Sequence, residues 1–333
     1  MGRGAGRHPG AGSPHGGRDG SRDALDSTWR RTARGRHIED RVGWGSLGAA
    51  RIAGGAVLPA IAASRNGRVV AIASRDPERA RQMADGFDGA RAAASYDALL
   101  DDPEIDAVYI PLVNSDHKPW TIRALEAGKH VLCEKPLALN AAEAEDMAAA
   151  AQRSGKHLME AAMYRFHPRT RAFIESLVDP IYVQASFGFT LREKTDYRLV
   201  SAMGGGALLD VGFYVVSVAR WILGEPSEVL ARSRLRGGTD MTTSALLQFP
   251  GGETASVWAS FESAEDQELT VVTRQGAFRI GRPFNWPDEV DQYQVMVESF
   301  GDSVLHDRPV EVPLSESIAN MRVLDRIKLA ATS

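Results

Sequence analysis

Lys135 sits between a glutamate and a proline at the end of an apolar run, in HVLCEKPLAL (residues 130–139). Val131, Leu132 and Cys133 read as a buried strand. The two opposite charges that close it either mark the surface or aim the lysine at a ligand. An ammonium can polarise a carbonyl or lower the pKa of a neighbouring hydroxyl, which suits carbonyl–alcohol redox chemistry. Glu134 can orient it. Pro136 fixes the backbone beside it and can take a cis bond. A second cluster lies in GGGALLDVGFYVVSVARWILGEP (204–226). Asp210 and Tyr214 are four apart, so they share one helical face that is otherwise Leu, Val and Phe. Two readings stand. The pair is a satisfied support for a seam between domains, or Tyr214 is a proton donor or acceptor while Asp210 bonds substrate or Lys135.

These residues need elements to hold them. From Val42 the chain alternates strand and helix patterns: VGWGSL, RVVAIAS (68–74), a short strand near 90–94, DAVYIPLV (106–113), HVLCEK and KHLMEA. The strands are continuously apolar, as strands buried on both faces should be. Asp76 with Pro77 opens one intervening helix. Asn140 and Gly155 bound another, and Gly128 closes a third. This is the pattern of a Rossmann doubly wound parallel sheet, assigned to residues 41–161. Beyond it the rhythm changes to alternating strands, IYVQASFGFT, EVLARSRLR, TTSALLQF, TASVWASF and ELTVVTR, with hairpin turns at 250–252 and 274–276. One helix is expected near 206–223 and one near 290–306. Residues 162–333 therefore read as an α+β domain with a mostly antiparallel open sheet, the substrate-binding and oligomerisation half.

The first strand-to-helix turn carries Gly48, Ala49, Ala50, Arg51, Ile52 and Ala53. It follows the dinucleotide pattern G-x-G-x-x-G/A with Ala50 in place of the second glycine. A helix amino terminus there can face a pyrophosphate; the alternative is a small-residue packing turn. At the end of the second strand an acidic residue would hold a ribose 2′-hydroxyl, but this chain has Ser74 and Arg75. A hydroxyl and a guanidinium suit a 2′-phosphate, so NADP is favoured over NAD.

Composition narrows the partners. The formal net charge is -4, which gives no bias toward nucleic acid. Cys133 is the only cysteine, so no internal disulfide forms, in keeping with a cytoplasmic setting. No apolar run reaches the roughly 18 residues of a membrane span, and no metal-ligand cluster stands out. Residues 1–40 are rich in Gly and Arg and read as a disordered tail. Arg30-Arg31 lacks the apolar stretch that an export signal requires.

Glu134-Lys135-Pro136, LMEAAMYRFHP (158–168) and GGGALLDVGFY together resemble the Gfo/Idh/MocA oxidoreductases from about residue 42 to the end. The similarity is to the branch with NADP-dependent xylose dehydrogenases and dihydrodiol dehydrogenases. It implies a catalytic Lys135, Tyr214 as acid/base with Asp210 one turn before it, a hydroxylated small-molecule substrate, and a dimer through the C-terminal sheet. It also implies that Pro111, Leu112, Asn114 and His117 lie along the cofactor and that Trp120 can shield the nicotinamide, the alternative being a core tryptophan on its helix. Arg165 is expected near the cofactor, and His167 and Arg198 near the substrate, with a plain structural role as the alternative for each. The chain departs from the family pattern in being short between Ile174 and Ile181 and between Pro283 and Asp291. That shortening motivates the alternative of a catalytically silent NADP-binding sensor.

Overall fold

The computed structural model describes residues 1–2, 41–286 and 289–331. The expected tail at 1–40 lies almost wholly outside the described residues. Six short strands, all but the edge strand β3 apolar, form one parallel sheet in the order β3-β2-β1-β4-β5-β6. They are β1 Val42–Leu47, β2 Gly67–Ala73, β3 Arg91–Ala92, β4 Ala107–Ile110, β5 His130–Cys133 and β6 Leu158–Glu160. Every residue of β1, β4, β5 and β6 is buried, because helices cover both faces. The strand order reverses at β1 and β4, and that is where doubly wound sheets open a crevice beyond their carboxyl ends.

The helices begin and end where the sequence signals them. Asp76 accepts the Glu78 and Arg79 amides at the start of α2 (Pro77–Ala84). Asn140 caps α5 (Ala141–Ser154), which Gly155 ends in the left-handed conformation. The first helix is less regular: a π-helical turn at Ala53–Val57 precedes α1 (Leu58–Ala63). Two further helices of this half are α3 (Tyr96–Leu100) and α4 (Asn114–Glu126).

The second sheet runs β12-β11-β7-β10-β9-β8. Its strands are β7 Pro180–Thr190, β8 Glu228–Arg236, β9 Thr239–Gln248, β10 Thr254–Ser260, β11 Glu262–Thr273 and β12 Ala277–Gly281. It is mixed, since β7 and β10 pair in parallel and the other neighbours are antiparallel. The helix α7 (Phe213–Leu223), entered through a π-helical turn at Leu208–Gly212, packs on one face of it. By length and composition Ser201–Leu223 passes as a membrane-spanning segment, more apolar than the sequence reading allowed, yet 78% of its most apolar window is buried inside this fold. The helices α6 (Pro168–Glu175), α8 (Gln292–His306) and α9 (Leu314–Ala331) complete the chain. Of these, α6 and α9 go beyond the two helices expected for this half. α9 buries Met321, Leu324 and Ile327 against α5 and β8. α8 returns to the first sheet, where Phe300 meets Trp44 at 5.5 Å between ring centroids. Fully burying a side chain of this size is worth roughly 1.5–3 kcal/mol, so α8 is anchored on the first sheet.

Candidate active site

The residues that follow β1, β2, β4 and β5 meet in one cleft of about 790 Å³. Gly48 turns the chain out of β1 at φ 132°, and a Cβ there would come within 3.1 Å of Leu112 Cδ2. This is a left-handed position that glycine takes without strain. Ala50, Arg51 and Ile52 continue along the floor, Ser74 and Arg75 form one end, and Pro111, Leu112 and Asn114 form the side. Arg75 is exposed there. The small residues, the helix start and the paired serine and guanidinium fit a dinucleotide carrying a 2′-phosphate.

At the other end Lys135 meets the second half of the chain. Its Nζ donates to Asp210 Oδ1 at 2.6 Å and to the Asp210 carbonyl at 3.1 Å. The two side chains are 14% and 15% exposed. Arg198 Nη1 donates to the other carboxylate oxygen at 3.1 Å, so one anion lies between two cations. Burial would lower the Lys135 pKa, but Asp210 more than offsets it and holds the ammonium above its ordinary range. Burial would raise Asp210, but Lys135 and Arg198 hold it below the usual carboxylate value. At neutral pH the site therefore presents an ammonium fixed by a carboxylate: a donor, not a base.

Lys135 Nζ stands 5.0 Å from the Tyr214 ring centroid, over its face. The Tyr214 hydroxyl points to Met163 Sδ at 3.6 Å, a weak acceptor. The ring is 6% exposed and is packed by Phe187, Phe213, Phe284 and Tyr164. Burial pushes its phenol well above the usual value, with the Glu134 and Asp210 charges adding to it. Glu134 accepts from the Tyr109 hydroxyl at 2.6 Å and from the Lys135 amide at 3.2 Å. It orients the turn through the backbone; the Lys135 ammonium is held by Asp210. The Lys135–Pro136 bond is cis.

Four expected contacts lie elsewhere. His117 is buried, with Nδ1 2.9 Å from the Pro136 carbonyl and Nε2 3.0 Å from the Leu112 carbonyl, so it ties two cleft walls together from behind. Arg165 stacks on Trp221 and pairs with Glu316. His167 caps α6 and stacks on Trp286. Arg198 does line the cleft, but its guanidinium is occupied by Asp196 and Asp210. Trp120 packs against Tyr96 and Arg123 outside the cleft. Asn114 lines the cleft while its amide donates to the Gly204 carbonyl at 2.8 Å. A Cβ on Gly204 would clash with Leu139 and Asn114, so a side chain at Gly204 would push the two halves apart.

The cleft also holds residues that the sequence did not single out: Arg79, Tyr96, Met163, Asp196, Tyr197 and Tyr293. Tyr197 directly precedes Arg198, so its position could have been read from that neighbour. Tyr293 follows the Asp291 cap of α8, yet nothing in its spacing marks it. Among the described residues no cluster of three His, Cys, Asp or Glu is placed to hold a metal.

Residues 42–162 match the family described as an oxidoreductase family with an NAD-binding Rossmann fold, and residues 175–279 match the GFO/IDH/MocA C-terminal domain. The D-xylose 1-dehydrogenase (NADP(+)) 2 of Haloferax volcanii is 37% identical over 85% of this chain and 95% of its own. The trans-1,2-dihydrobenzene-1,2-diol dehydrogenase of Mus musculus is 40% identical over 66% of this chain and 68% of its own. The crystal structure of KijD10, a 3-ketoreductase from Actinomadura kijaniata in complex with NADP and TDP-benzene, superposes with a TM-score of 0.79. It is 29% identical and covers 87% of this chain and 98% of that one.

Proposed function

The chain belongs to the Gfo/Idh/MocA oxidoreductase family, and from that premise we propose that it is an NADP-dependent dehydrogenase or reductase of a sugar or cyclic polyol. The observation that carries this reading is the Lys135–Asp210 contact, made across the two halves at one end of a cleft whose other end is a phosphate-binding turn. The Gly48–Ile52 turn would take the pyrophosphate, and Ser74 with Arg75 the 2′-phosphate. Bound there, NADP supplies a nicotinamide that accepts or gives a hydride at the substrate carbinol carbon. Lys135, kept charged by Asp210, donates a hydrogen bond to the reacting oxygen and stabilises negative charge on it. Tyr214, kept protonated by burial, gives that oxygen its proton in the reductive direction and is then reprotonated from solvent; in the oxidative direction it first yields its proton to solvent and takes the substrate's as a phenolate. Among the described residues the hydroxyl has only a thioether to leave, so turning it toward substrate costs little.

A dimer through the open face of the second sheet accompanies this reading. Leu230 and Leu246 are 68% and 43% exposed on that face, beside Tyr182 and Trp258. We place the protein in the cytoplasm, in keeping with its one buried cysteine. The test is turnover of NADP+ with a panel of aldoses and diols, read by absorbance of the reduced cofactor. Reduction with at least one member is expected. Tight NADPH binding with no turnover of any member would favour the sensor alternative.

A further inference from the structure

The segment between β7 and the π-helical turn at Leu208–Gly212 is held from several sides. Asp196 accepts from the Arg198 amide at 3.0 Å and takes its guanidinium in a two-point pair at 3.0 and 2.8 Å. The remaining guanidinium nitrogen reaches Asp210 at 3.1 Å. The rings of Phe189 and Phe261 lie 5.5 and 5.9 Å from the same group. Behind it, the Gly206 amide donates to the Arg198 carbonyl at 2.9 Å and the Gly205 amide to the Val200 carbonyl at 3.0 Å. Charge-assisted, two-point pairs of this kind fix orientation as well as position.

Tyr197 stands between the two clamped residues and is set by them. It is half-buried and lines the cleft. Asp210, Lys135, Arg198 and Glu134 are the charges around it. No hydrogen bond to its hydroxyl is made among the described residues. A rigidly seated phenol beside the reactive ammonium, with its hydroxyl unused, is a ready donor for a ligand oxygen.

We propose that Tyr197 is a substrate-contacting specificity residue, whose hydroxyl donates a hydrogen bond to a second oxygen of the substrate beside the one held by Lys135. This rests on the function proposed above and narrows it: the site favours substrates with oxygens on neighbouring carbons. Burial first, and then the Asp210 carboxylate, push the phenol up to about 12. It keeps its proton throughout the neutral range and so is available as a hydrogen-bond donor. Arg198, in turn, is a positioning residue, holding both Asp210 and the Tyr197 backbone.

The experiment compares the wild-type protein with Tyr197→Phe, which keeps the ring and removes only the hydroxyl. Both are loaded with NADPH, and binding of aldoses, cyclic diols and their monodeoxy analogues is read by nicotinamide fluorescence. Turnover of the same ligands with NADP+ is measured alongside. Loss of one neutral hydrogen bond predicts roughly three- to tenfold weaker binding of the best ligand. One monodeoxy analogue should bind wild type and variant equally, and NADPH affinity should stay unchanged. Equal affinity of both proteins for every hydroxylated ligand, or equal losses with every analogue, would overturn the role of Tyr197. Binding in wild type without turnover would overturn the oxidoreductase reading instead, and the binding comparison would still decide Tyr197.

Discussion

Asp210→Asn removes one charge from the middle of a buried network while keeping its shape. Arg198 retains its second partner, Asp196. Lys135 retains only neutral acceptors, the residue 210 carbonyl at 3.1 Å and the new amide oxygen. One ammonium is thus stranded. Removing one partner of a buried pair costs roughly 3–5 kcal/mol. The lysine is 14% exposed and keeps neutral acceptors, so the lower end applies, about 3 kcal/mol. At about 2.1 cal/mol/K of unfolding entropy per residue, a chain of this size shifts about 1.5 °C per kcal/mol, so the midpoint of thermal unfolding falls by about 4–5 °C. Burial then dominates the lysine and pushes its pKa down, the reverse of its native direction. The ammonium is lost at lower pH, so the alkaline limb of the kcat/KM profile moves toward neutrality. If the same 3 kcal/mol is missing from the transition state, kcat/KM at neutral pH falls about 100-fold. The assays are pH-resolved kinetics and thermal unfolding of Asp210→Asn, Lys135→Met and the double variant. The double variant should be more stable than Asp210→Asn alone, because the stranded charge is gone. An unchanged alkaline limb, or a double variant no more stable than the single one, would refute the reasoning.

Two other predictions concern the cofactor and a buried acid. Arg75→Ala should weaken NADP at least tenfold while changing NAD less than twofold, since the guanidinium addresses only the 2′-phosphate; equal losses in titrations of the two cofactors would remove Arg75 from that role. Glu160 is buried, accepts from the Leu137 amide at 2.6 Å, and is pushed by burial up to about 7 from an ordinary 4.5. The unfolded chain releases this proton near 4.5 and the folded one only near 7, so folding stability declines between those values as pH rises. At about 1.4 kcal/mol per pH unit that decline is about 3 kcal/mol. Glu160→Gln keeps the acceptor without the charge and should flatten it; denaturant unfolding at several pH values that shows the same decline in both proteins would contradict this.

Much of the first half was legible because its signals are local. A strand buried on both faces writes itself as an apolar run, and Asp76 and Asn140 cap their helices by reaching two or three residues ahead. Lys135, Asp210 and Tyr214 stood out as polar groups in apolar settings. What they do to one another was not legible: Asp210 carries the ammonium, Glu134 the backbone, and the lysine meets the tyrosine over its face. Those are tertiary facts. His117, Arg165 and His167 had suitable chemistry near suitable strands, yet their side chains turn to carbonyls, a tryptophan and a helix amino terminus. Tyr197 lacked a periodic signal because it sits in a single 3-10 turn. The parallel β7–β10 pair joins strands more than sixty residues apart, which alternation within each strand cannot show. α9 is different: Met321, Leu324 and Ile327 repeat at helical spacing, and the signal was there to be read.

The most direct test of the central claim is the steady-state rate of NADP+ reduction by wild type and Lys135→Met on the best aldose or diol, alongside NADPH affinity for each. An ammonium that stabilises the reacting oxygen predicts at least a 100-fold fall in kcat with cofactor affinity intact. A Lys135→Met protein that turns over within a few fold of wild type would contradict it.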